Sequence, residues 1–571
     1  MAKKEMSPFE TWKFVVPNIK KIIENIKKLT EEFKAASSEQ EALKVFKKFG
    51  RYTDKVGEEI TLVQVLYSID TTNKKYEKAM NILNEGLPYV SNEQVEFTKA
   101  VLSSPFRSYL EKKLGTFLFT MYEYSLKAFD PCILEELIEE NNLTMQYDAL
   151  VASAQIPFRG EIYNLTQMGK FLMDSDRNTR KEAADAYYGY LSSIEDQIED
   201  IFDKLVKNRD RQAKKLGYKD YVELGYIKMN RFDYDREDVA KYREAIRENV
   251  TPLANKLMND QFKRTKIKDP HVYDLGYQFI TGNPLPLGTT EEKVEKAKKM
   301  YDELSPDTSY FFRFMSDNHL LDLEAKPGKQ PGGYMTYFPV HGCPFIFSNF
   351  NGTSGDIDVL THEFGHSFQA YVARNIKIAE YRSPTMESCE IDSMSMEFFA
   401  EPWMELFFDE PDKYRYSHLA DSICFLPYGV TVDEFQHFVY EHPEATPAER
   451  DAFWHSLEEK YTPWKTKAYK GTPYMEKGHR WLTQGHIFSS PFYYIDYTLA
   501  QVMAFQFLEA NLKDHTKAWK KYMKLCAMGG KYPFRTLVKK DGMKDPFEPG
   551  VLKKTIKPLV KILKSYDISK Y

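Results

Sequence analysis

Apolar residues recur at three- and four-residue spacing along much of the chain, which is the periodicity of a helix with one buried face. In residues 19–33, for example, Ile22, Ile23, Ile26 and Leu29 are separated by Lys and Glu. Similar patterns continue in three further N-terminal segments, 41–49, 95–114 and 135–140. The pattern therefore predicts a mainly α fold.

The composition changes between residues 323 and 356, where Gly, Pro and aromatic residues are frequent. Within this stretch, Pro344–Phe350 has the composition of a short strand with glycine-rich loops on both sides. A polar stretch at 174–180 marks a soft boundary earlier in the chain. We therefore predict an N-terminal helical domain over residues 1–190 and a second domain over residues 191–571.

Charge and cysteine content exclude several classes of protein. The 79 basic and 84 acidic residues give a net charge of −5, which offers no electrostatic reason to expect a nucleic acid partner. No stretch approaches the roughly 18 consecutive apolar residues of a membrane-spanning helix, and no apolar run follows the N-terminal lysines as in a secretory signal. The five cysteines are odd in number and far apart, which is not a disulfide framework. We expect no membrane partner and a cytoplasmic location.

The segment DVLTHEFGHSFQAYVARN contains an HExxH motif formed by His362, Glu363 and His366. An apolar stripe through this segment predicts a helix near residues 357–374. Histidines four residues apart on a helix project from one face and can bind the same metal ion. Glu363 lies one position round the helix, where its carboxylate can reach a metal-bound water. The motif therefore indicates a catalytic metal site.

A catalytic zinc ion usually takes three protein ligands, so a third ligand should lie downstream on another helix. Glu390 follows His366 by 24 residues, which leaves room for one helix to end and a second to return. Apolar neighbours predict that Glu390 is buried, where a carboxylate needs a partner. Glu387 and Glu401 are weaker alternatives. Glu397, seven residues further along, suits a role in orienting a ligating histidine.

HEFGH followed by the Glu390 of EIDSMSME resembles the thimet oligopeptidase and oligoendopeptidase F family of zinc metallopeptidases. SMSMEFF and GHIFSSPFYYIDY look most like its Pz-peptidase-like bacterial branch. The resemblance is specific over Leu323–Gln501. It implies one Zn²⁺ ion per chain, held by His362, His366 and Glu390, with Glu363 as the general base.

The resemblance also implies the architecture and the substrate. Members of this family have two mainly helical lobes around a deep central channel, with a small β-sheet near the zinc site. Residues 191–571 would then form the catalytic metallopeptidase domain. Such a channel excludes folded proteins and admits short peptides, so we expect a zinc metalloendopeptidase that cuts internal bonds of oligopeptides. Collagen-like peptides containing Pro and Gly are a substrate class suggested by the Pz-peptidase branch.

The segment GHIFSSPFYYIDY is a second candidate for chemistry. If it is helical, His486, Tyr493 and Tyr497 share one face, unless Pro491 interrupts the helix. Peptide hydrolysis develops negative charge on the former carbonyl oxygen, and Tyr and His are suitable hydrogen-bond donors to it. In the family a His followed by a Tyr cluster does this. Tyr497 is the favoured donor, followed by Tyr493 and then Tyr494.

The predicted strand Pro344–Phe350 is the third element. An exposed strand edge can bind an extended peptide through main-chain hydrogen bonds, and the family uses an edge strand before its HExxH helix in this way. We therefore expect Phe347, Ser348 and Asn349 to contact substrate, together with Tyr494.

Two other functions remain open: a zinc carboxypeptidase or dipeptidase on a related helical scaffold, and a non-catalytic peptide-binding protein. The intact set of metal ligands and base favours an enzyme. No pattern indicates the oligomeric state, and eight further histidines carry no assigned role: His271, His319, His418, His437, His442, His455, His479 and His515.

Overall fold

The computed structural model describes residues 6–571, and α-helices dominate it. The N-terminal region contains α1 (Ile19–Lys34), α2 (Glu39–Ile69), α3 (Lys74–Leu102), α4 (Arg107–Leu114), α5 (Thr116–Ala128) and α6 (Leu134–Ala152). A second block contains α7 (Leu165–Leu172), α8 (Arg177–Lys215), α9 (Tyr221–Lys228), α10 (Arg236–Asn249), α11 (Thr251–Arg264), α12 (Thr290–Leu304) and α13 (Pro306–Asp317).

The C-terminal part begins with the helix that carries the HExxH motif. Its helices are α14 (Gly355–Ala373), α15 (Met386–Ala400), α16 (Pro411–Glu441), α17 (Pro447–Tyr461), α18 (Pro463–Thr466), α19 (Pro473–Glu476), α20 (Gly485–Ser489), α21 (Tyr494–Lys513), α22 (His515–Met528), α23 (Phe534–Asp541) and α24 (Val551–Leu563). The predicted fold class, mainly α with a small sheet near the motif, is confirmed.

Local sequence explains why these helices form where they do. The Asn18 side chain accepts a hydrogen bond from the Lys21 amide at 3.0 Å and so caps α1. The predicted stripe is correct, since Ile22, Ile26 and Leu29 are buried. Propensity alone would leave most such helices marginal in water, so the burial of these faces accounts for most of their stability.

Within residues 6–571, five short strands form two sheets. Strands β1 (Ile156–Phe158) and β2 (Glu161–Tyr163) pair antiparallel. The second sheet has the order β3–β5–β4, in which β3 (Leu321–Glu324) runs parallel to β5 (Cys343–Phe350) and β4 (Tyr334–Phe338) runs antiparallel to it. The predicted strand at 344–350 therefore exists, but the prediction that it is an edge strand is wrong. Its two neighbours use its main-chain hydrogen bonds on both sides.

The largest hydrophobic core joins helices from α8 to α24 with the three-stranded sheet, while smaller clusters lie among the N-terminal helices. The predicted boundary at residue 190 falls inside α8, which is continuous over Arg177–Lys215. The division at 190 stays a prediction. No helix within residues 6–571 is long and apolar enough to cross a membrane.

Candidate active site

Helix α14 places the two motif histidines on one face, towards α15. Nε2 of His362 lies 3.2 Å from Oε2 of Glu390, and Nε2 of His366 lies 3.3 Å from the same oxygen. Glu390 is 1% exposed, so its carboxylate is removed from water and faces the two imidazoles. The structure thus brings together the three residues that the sequence marks as metal ligands.

Close packing of α14 against α15 makes this convergence possible. A Cβ atom at Gly365 would lie 2.6 Å from Cα of Ser393 and 2.7 Å from the main-chain oxygen of Asp392. Real Cβ atoms do not approach other atoms so closely, so only glycine fits at this point of the HEFGH sequence. Gly365 therefore sets the distance between the helix of the histidines and the helix of Glu390.

A chain of hydrogen bonds fixes the orientation of His362. Its Nδ1 lies 2.6 Å from Oε1 of Glu397, and Oε2 of Glu397 lies 2.7 Å from Nε2 of His418. Burial lowers the pKa of His362, but its hydrogen bonds to the carboxylates of Glu390 and Glu397 more than reverse this and leave the pKa well above its usual range. In the neutral tautomer with its proton on Nδ1, the lone pair of Nε2 faces Glu390, as a metal ligand requires. No local sequence pattern marks His418, because its place in this chain of hydrogen bonds depends on how α16 packs near α15.

The carboxylate of Glu363 is buried beside the convergence point. The residue is 5% exposed, and its Oε2 is one of the buried side-chain atoms in the described structure that lack a hydrogen-bond partner. Burial raises the pKa of Glu363, although His362 and His366 oppose the shift. A buried carboxylate oxygen without a partner is costly, and such atoms are typical of sites that bind water or substrate.

Helices α20 and α21 bring the predicted His and Tyr residues to the same site. The hydroxyl of Tyr493 donates to Oε1 of Glu390, the oxygen that does not face the histidines. Oη of Tyr497 lies 3.1 Å from Nε2 of His486. Burial is the main cause that raises the pKa of both tyrosines well above the usual value, so both stay protonated. The segment bends at Pro491 between the two helices, and the three side chains meet although they do not lie on one continuous helix.

Gln484, which the sequence did not single out, determines the tautomer of His486. Its Nε2 lies 3.0 Å from Nδ1 of His486, while its Oε1 accepts a hydrogen bond of 2.7 Å from Tyr428. Since the amide donates to Nδ1, the ring proton lies on Nε2 and is directed to Tyr497. Burial lowers the pKa of His486, which favours this neutral form at pH 7.

The predicted substrate contacts require a correction. Phe347 and Ser348 are 0% and 2% exposed in the central strand, so neither side chain presents a surface to a peptide. Asn349 donates from Nδ2 to the main-chain oxygens of Gln330 and Gly332, both at 2.8 Å, and thereby holds the loop before β4. The edge strand on the site's side of the sheet is β4, which the sequence pattern did not reveal.

Two cavities flank the candidate site. One has a volume of about 820 Å³ and lies between the N-terminal helices α2, α3 and α6 and the strand β4, with Tyr334, Met335 and Thr336 in its wall. Directly before this strand, a Cβ atom on Gly333 would lie 3.6 Å from Oε1 of Glu363. The other cavity, of about 330 Å³, is lined by the predicted residues Tyr494 and Tyr497, among others.

The donor set fits a zinc ion. The ligand atoms of His362, His366 and Glu390 all lie within 4.8 Å of one another. Imidazole nitrogen and carboxylate oxygen are ligands that zinc takes in catalytic sites, where three protein ligands leave one position for water. The unpartnered Oε2 of Glu363 is the acceptor that such a water needs. The side chains at this site therefore fit the zinc ion that the HExxH motif predicts.

Comparison with known proteins places this site in a family. The model of peptidase family M3 matches residues 171–555, and that of the peptidase M3 N-terminal domain matches residues 9–129. The chain belongs to peptidase family M3. The resemblance seen in HEFGH and Glu390 is thus confirmed, and the predicted enzyme class agrees with this family of peptidases.

Individual relatives support the same assignment. The chain is 23% identical over 381 residues to oligopeptidase PepF of Bacillus subtilis, a match that covers 65% of this chain and 54% of that protein. It is 24% identical to the chromosomal oligoendopeptidase F of Lactococcus lactis subsp. cremoris, over 48% of this chain and 45% of the relative. These matches therefore span about half the length of each relative.

Solved structures match over nearly the whole chain. The structure of Pz peptidase A with an inhibitor has a TM-score of 0.96 and 44% identity, and the match covers 98% of this chain and 99% of that one. Oligoendopeptidase F from Enterococcus faecium, at 16% identity and a TM-score of 0.59 over 96% and 98% of the two chains, has a related fold.

Proposed function

We propose that this chain is a zinc-dependent endopeptidase that hydrolyses internal bonds of short oligopeptides. The observation that carries the proposal is the convergence of His362, His366 and Glu390 beside the unpartnered carboxylate of Glu363. Membership of a peptidase family and the likeness to Pz peptidase A support it.

Glu363 is the proposed general base and acid. When bound by the two histidines and Glu390, zinc would lower the pKa of a water molecule towards about 7 and polarise the scissile carbonyl. The buried carboxylate of Glu363 accepts the proton of the attacking water and then returns it to the nitrogen of the leaving amine. Burial raises the pKa of Glu363, which brings its basicity closer to that needed near neutral pH.

Tyr497 is the proposed donor to the oxyanion. Since the Tyr493 hydroxyl already donates to Glu390, its proton is engaged, whereas Tyr497 accepts from Nε2 of His486 and keeps its own proton for the substrate oxygen. A donor that is preorganised in a buried site stabilises developing charge without reorganisation in the reaction. His486 is the proposed support of that donor.

The strand β4 is the proposed peptide-binding edge in place of β5. Its free edge borders the larger cavity, and Gly333, the residue directly before the strand, approaches Glu363. An extended peptide that pairs with this edge uses main-chain hydrogen bonds, which tolerates many sequences. Collagen-like Pro/Gly peptides are the substrate class that we infer from the likeness to Pz peptidase A. All five cysteines are free, which suits the cytoplasm as the proposed compartment.

The proposal is tested with an internally quenched nonapeptide blocked at both ends, with products identified by mass. We expect internal cleavage by the zinc-loaded protein, loss of activity with a chelator, and recovery when zinc is restored. Glu363→Gln should retain zinc and lose at least about 10³-fold in kcat. Glu248→Gln, an exposed carboxylate remote from the site, serves as the matched control and should behave as the wild type.

The alternatives predict different results. Cleavage only of peptides with a free terminus would indicate a carboxypeptidase or dipeptidase. Binding of peptides without cleavage of any of them would indicate a binding protein. Full activity of Glu363→Gln would remove that residue from the mechanism.

A further inference from the structure

A second cluster of metal-ligating side chains lies outside the candidate active site. Glu195 and Glu199 lie on α8, Asp451 on α17, and His479 at the start of the 3₁₀ turn 479–483. Nε2 of His479 lies 3.3 Å from Oδ2 of Asp451 and 3.5 Å from Oε1 of Glu199. The three ligand atoms lie within 4.8 Å of one another. Three segments that are distant in sequence therefore place one imidazole and two carboxylates around a common point.

The geometry of this cluster repeats that of the candidate zinc site. In both, an imidazole Nε2 and a carboxylate oxygen are 3.2 to 3.5 Å apart. Ligands bound tetrahedrally at 2.0–2.1 Å are about 3.4 Å apart, which is the same spacing. In both, the other ring nitrogen contacts a further carboxylate: Nδ1 of His479 lies 2.9 Å from Oε2 of Glu195, as Nδ1 of His362 lies 2.6 Å from Glu397.

The contact with Glu195 determines whether Nε2 of His479 directs a proton or a lone pair towards the other two side chains. When Nδ1–H donates to Glu195, the neutral ring directs the lone pair of Nε2 towards the oxygens of Asp451 and Glu199. Three groups rich in lone pairs then face one another, an arrangement that a cation between them stabilises. A carboxylate that orients a ligating histidine through its other nitrogen is the usual arrangement around protein-bound metal ions.

The charge of the surroundings also favours a cation. Three carboxylates, those of Glu195, Glu199 and Asp451, surround the His479 ring, and Lys477 pairs with Glu195 at 2.7 Å. Asp451 and His479 are buried, at 6% and 5% exposure. The side chain of Glu199 remains 18% exposed, which leaves a route from solvent.

We propose that Glu199, Asp451 and His479 form a second metal site that binds a divalent transition-metal ion such as Zn²⁺. An imidazole ligand favours transition metals over Mg²⁺ and Ca²⁺, which prefer oxygen ligands alone. The ion joins α8 and α17 to the turn that leads to Gln484 and His486. Its role is structural: it anchors the start of the segment that carries the proposed oxyanion support. This proposal does not depend on the proposed peptidase activity.

The test is the zinc stoichiometry of the full-length protein after chelator treatment and equilibrium dialysis against buffered Zn²⁺, measured by mass spectrometry of the metal. We expect two ions in the wild type and one in Glu199→Gln or His479→Gln. Asp196→Asn is the matched control, because it removes an exposed negative charge from the same helix without removing a ligand, and it should retain two ions. The double variant His362→Gln/His366→Gln should retain one ion.

The variants separate failure of one site from failure of the other. One ion in the wild type and none in the His362/His366 variant would overturn the second site and leave the proposed active site intact. Equal stoichiometry in Glu199→Gln and Asp196→Asn would also overturn it. If the wild type and the His362/His366 variant each bound one ion, that ion would lie at the second site. The proposed active site would then not bind zinc.

A second measurement does not depend on counting ions. Nε1 of Trp481 donates to Oδ1 of Asp451 at 2.9 Å, so this indole lies in contact with a proposed ligand.

In the His362→Gln/His366→Gln background, added Zn²⁺ should change tryptophan fluorescence and raise the melting temperature. With free Zn²⁺ at 100 times its Kd, the unfolding equilibrium constant should fall about 100-fold. Adding Glu199→Gln should abolish both effects and adding Asp196→Asn should not; equal responses would overturn the proposal.

Discussion

At the scale of single residues, buried hydrogen-bond partners orient the side chains of the proposed active site. Glu397 accepts from Nδ1 of His362 and also contacts His418. The sequence predicted this orienting role for Glu397 from its spacing of seven residues to Glu390, and the observed contact agrees with it. His418 has no such local signal, since it reaches the site from α16.

Replacing Glu397 tests whether its contact with His362 strengthens zinc binding. Glu397→Gln should lower zinc affinity about 10- to 100-fold, because the His362 imidazole loses the charged acceptor that raises its basicity. Affinity is measured by competition with a chromophoric chelator. Glu401→Gln is the control, since Glu401 contacts His418 at 3.4 Å but does not contact His362, and its effect should be much smaller. Equal losses in the two variants would contradict a direct role of Glu397.

The neutral state of His486 leads to a prediction about pH. Burial lowers its folded-state pKa below the unfolded value of about 6.5, so its contribution to stability is complete above that pH and is lost as the pH falls through the folded pKa. Gln484→Glu should raise the pKa of His486, because a carboxylate next to Nδ1 favours the imidazolium. The acid limb of kcat/KM should move to higher pH.

NMR titration of His486 checks this prediction directly. Gln506→Glu adds the same charge away from the imidazole and should leave the titration unchanged. An unaltered His486 titration in Gln484→Glu would show that the amide does not control the tautomer.

At the scale of elements, the distance between α14 and α15 decides whether three ligands meet. Gly365→Ala should destabilise the protein by about 1–3 kcal/mol and weaken zinc binding, because the added methyl group collides with the main chain of α15. Gly57→Ala is the matched control: Gly57 is also helical, no atom lies within 4 Å of its added Cβ, and the change should stabilise by about 0.4–1 kcal/mol. Urea unfolding measures both, and a harmless Gly365→Ala would contradict this account of the packing.

The arrangement of the strands explains why the prediction of an edge strand at residues 344–350 was wrong. The sequence of Pro344–Phe350 is that of one short apolar strand, and such a sequence fits a central strand as well as an edge strand; in the structure every residue of it except Asn349 is buried. Which neighbours it has depends on β3 and β4, whose short sequences carry little periodic signal. The position of a strand in a sheet is a property of several segments together.

At the scale of the whole molecule, the larger cavity lies between the N-terminal helices and β4. A peptide that binds along β4 as proposed would occupy this space in extended form, so we expect peptides of roughly five to twenty residues to be cleaved and intact casein to be spared. Mass spectrometry of both digests under the same conditions is the measurement. Digestion of casein at a comparable rate would contradict a size limit set by the fold.

The amino-acid sequence by itself determined the helical class and the HExxH helix, because helical periodicity acts over a few residues to a few turns. It also proposed Glu390 as the third metal ligand. It also identified His486 and the tyrosines as a group. Tertiary structure alone decided that β4 is the edge strand, that His418 and Gln484 support the site, and that His479 lies among three carboxylates. These contacts join segments separated by tens to hundreds of residues, and such contacts form only when the helices pack.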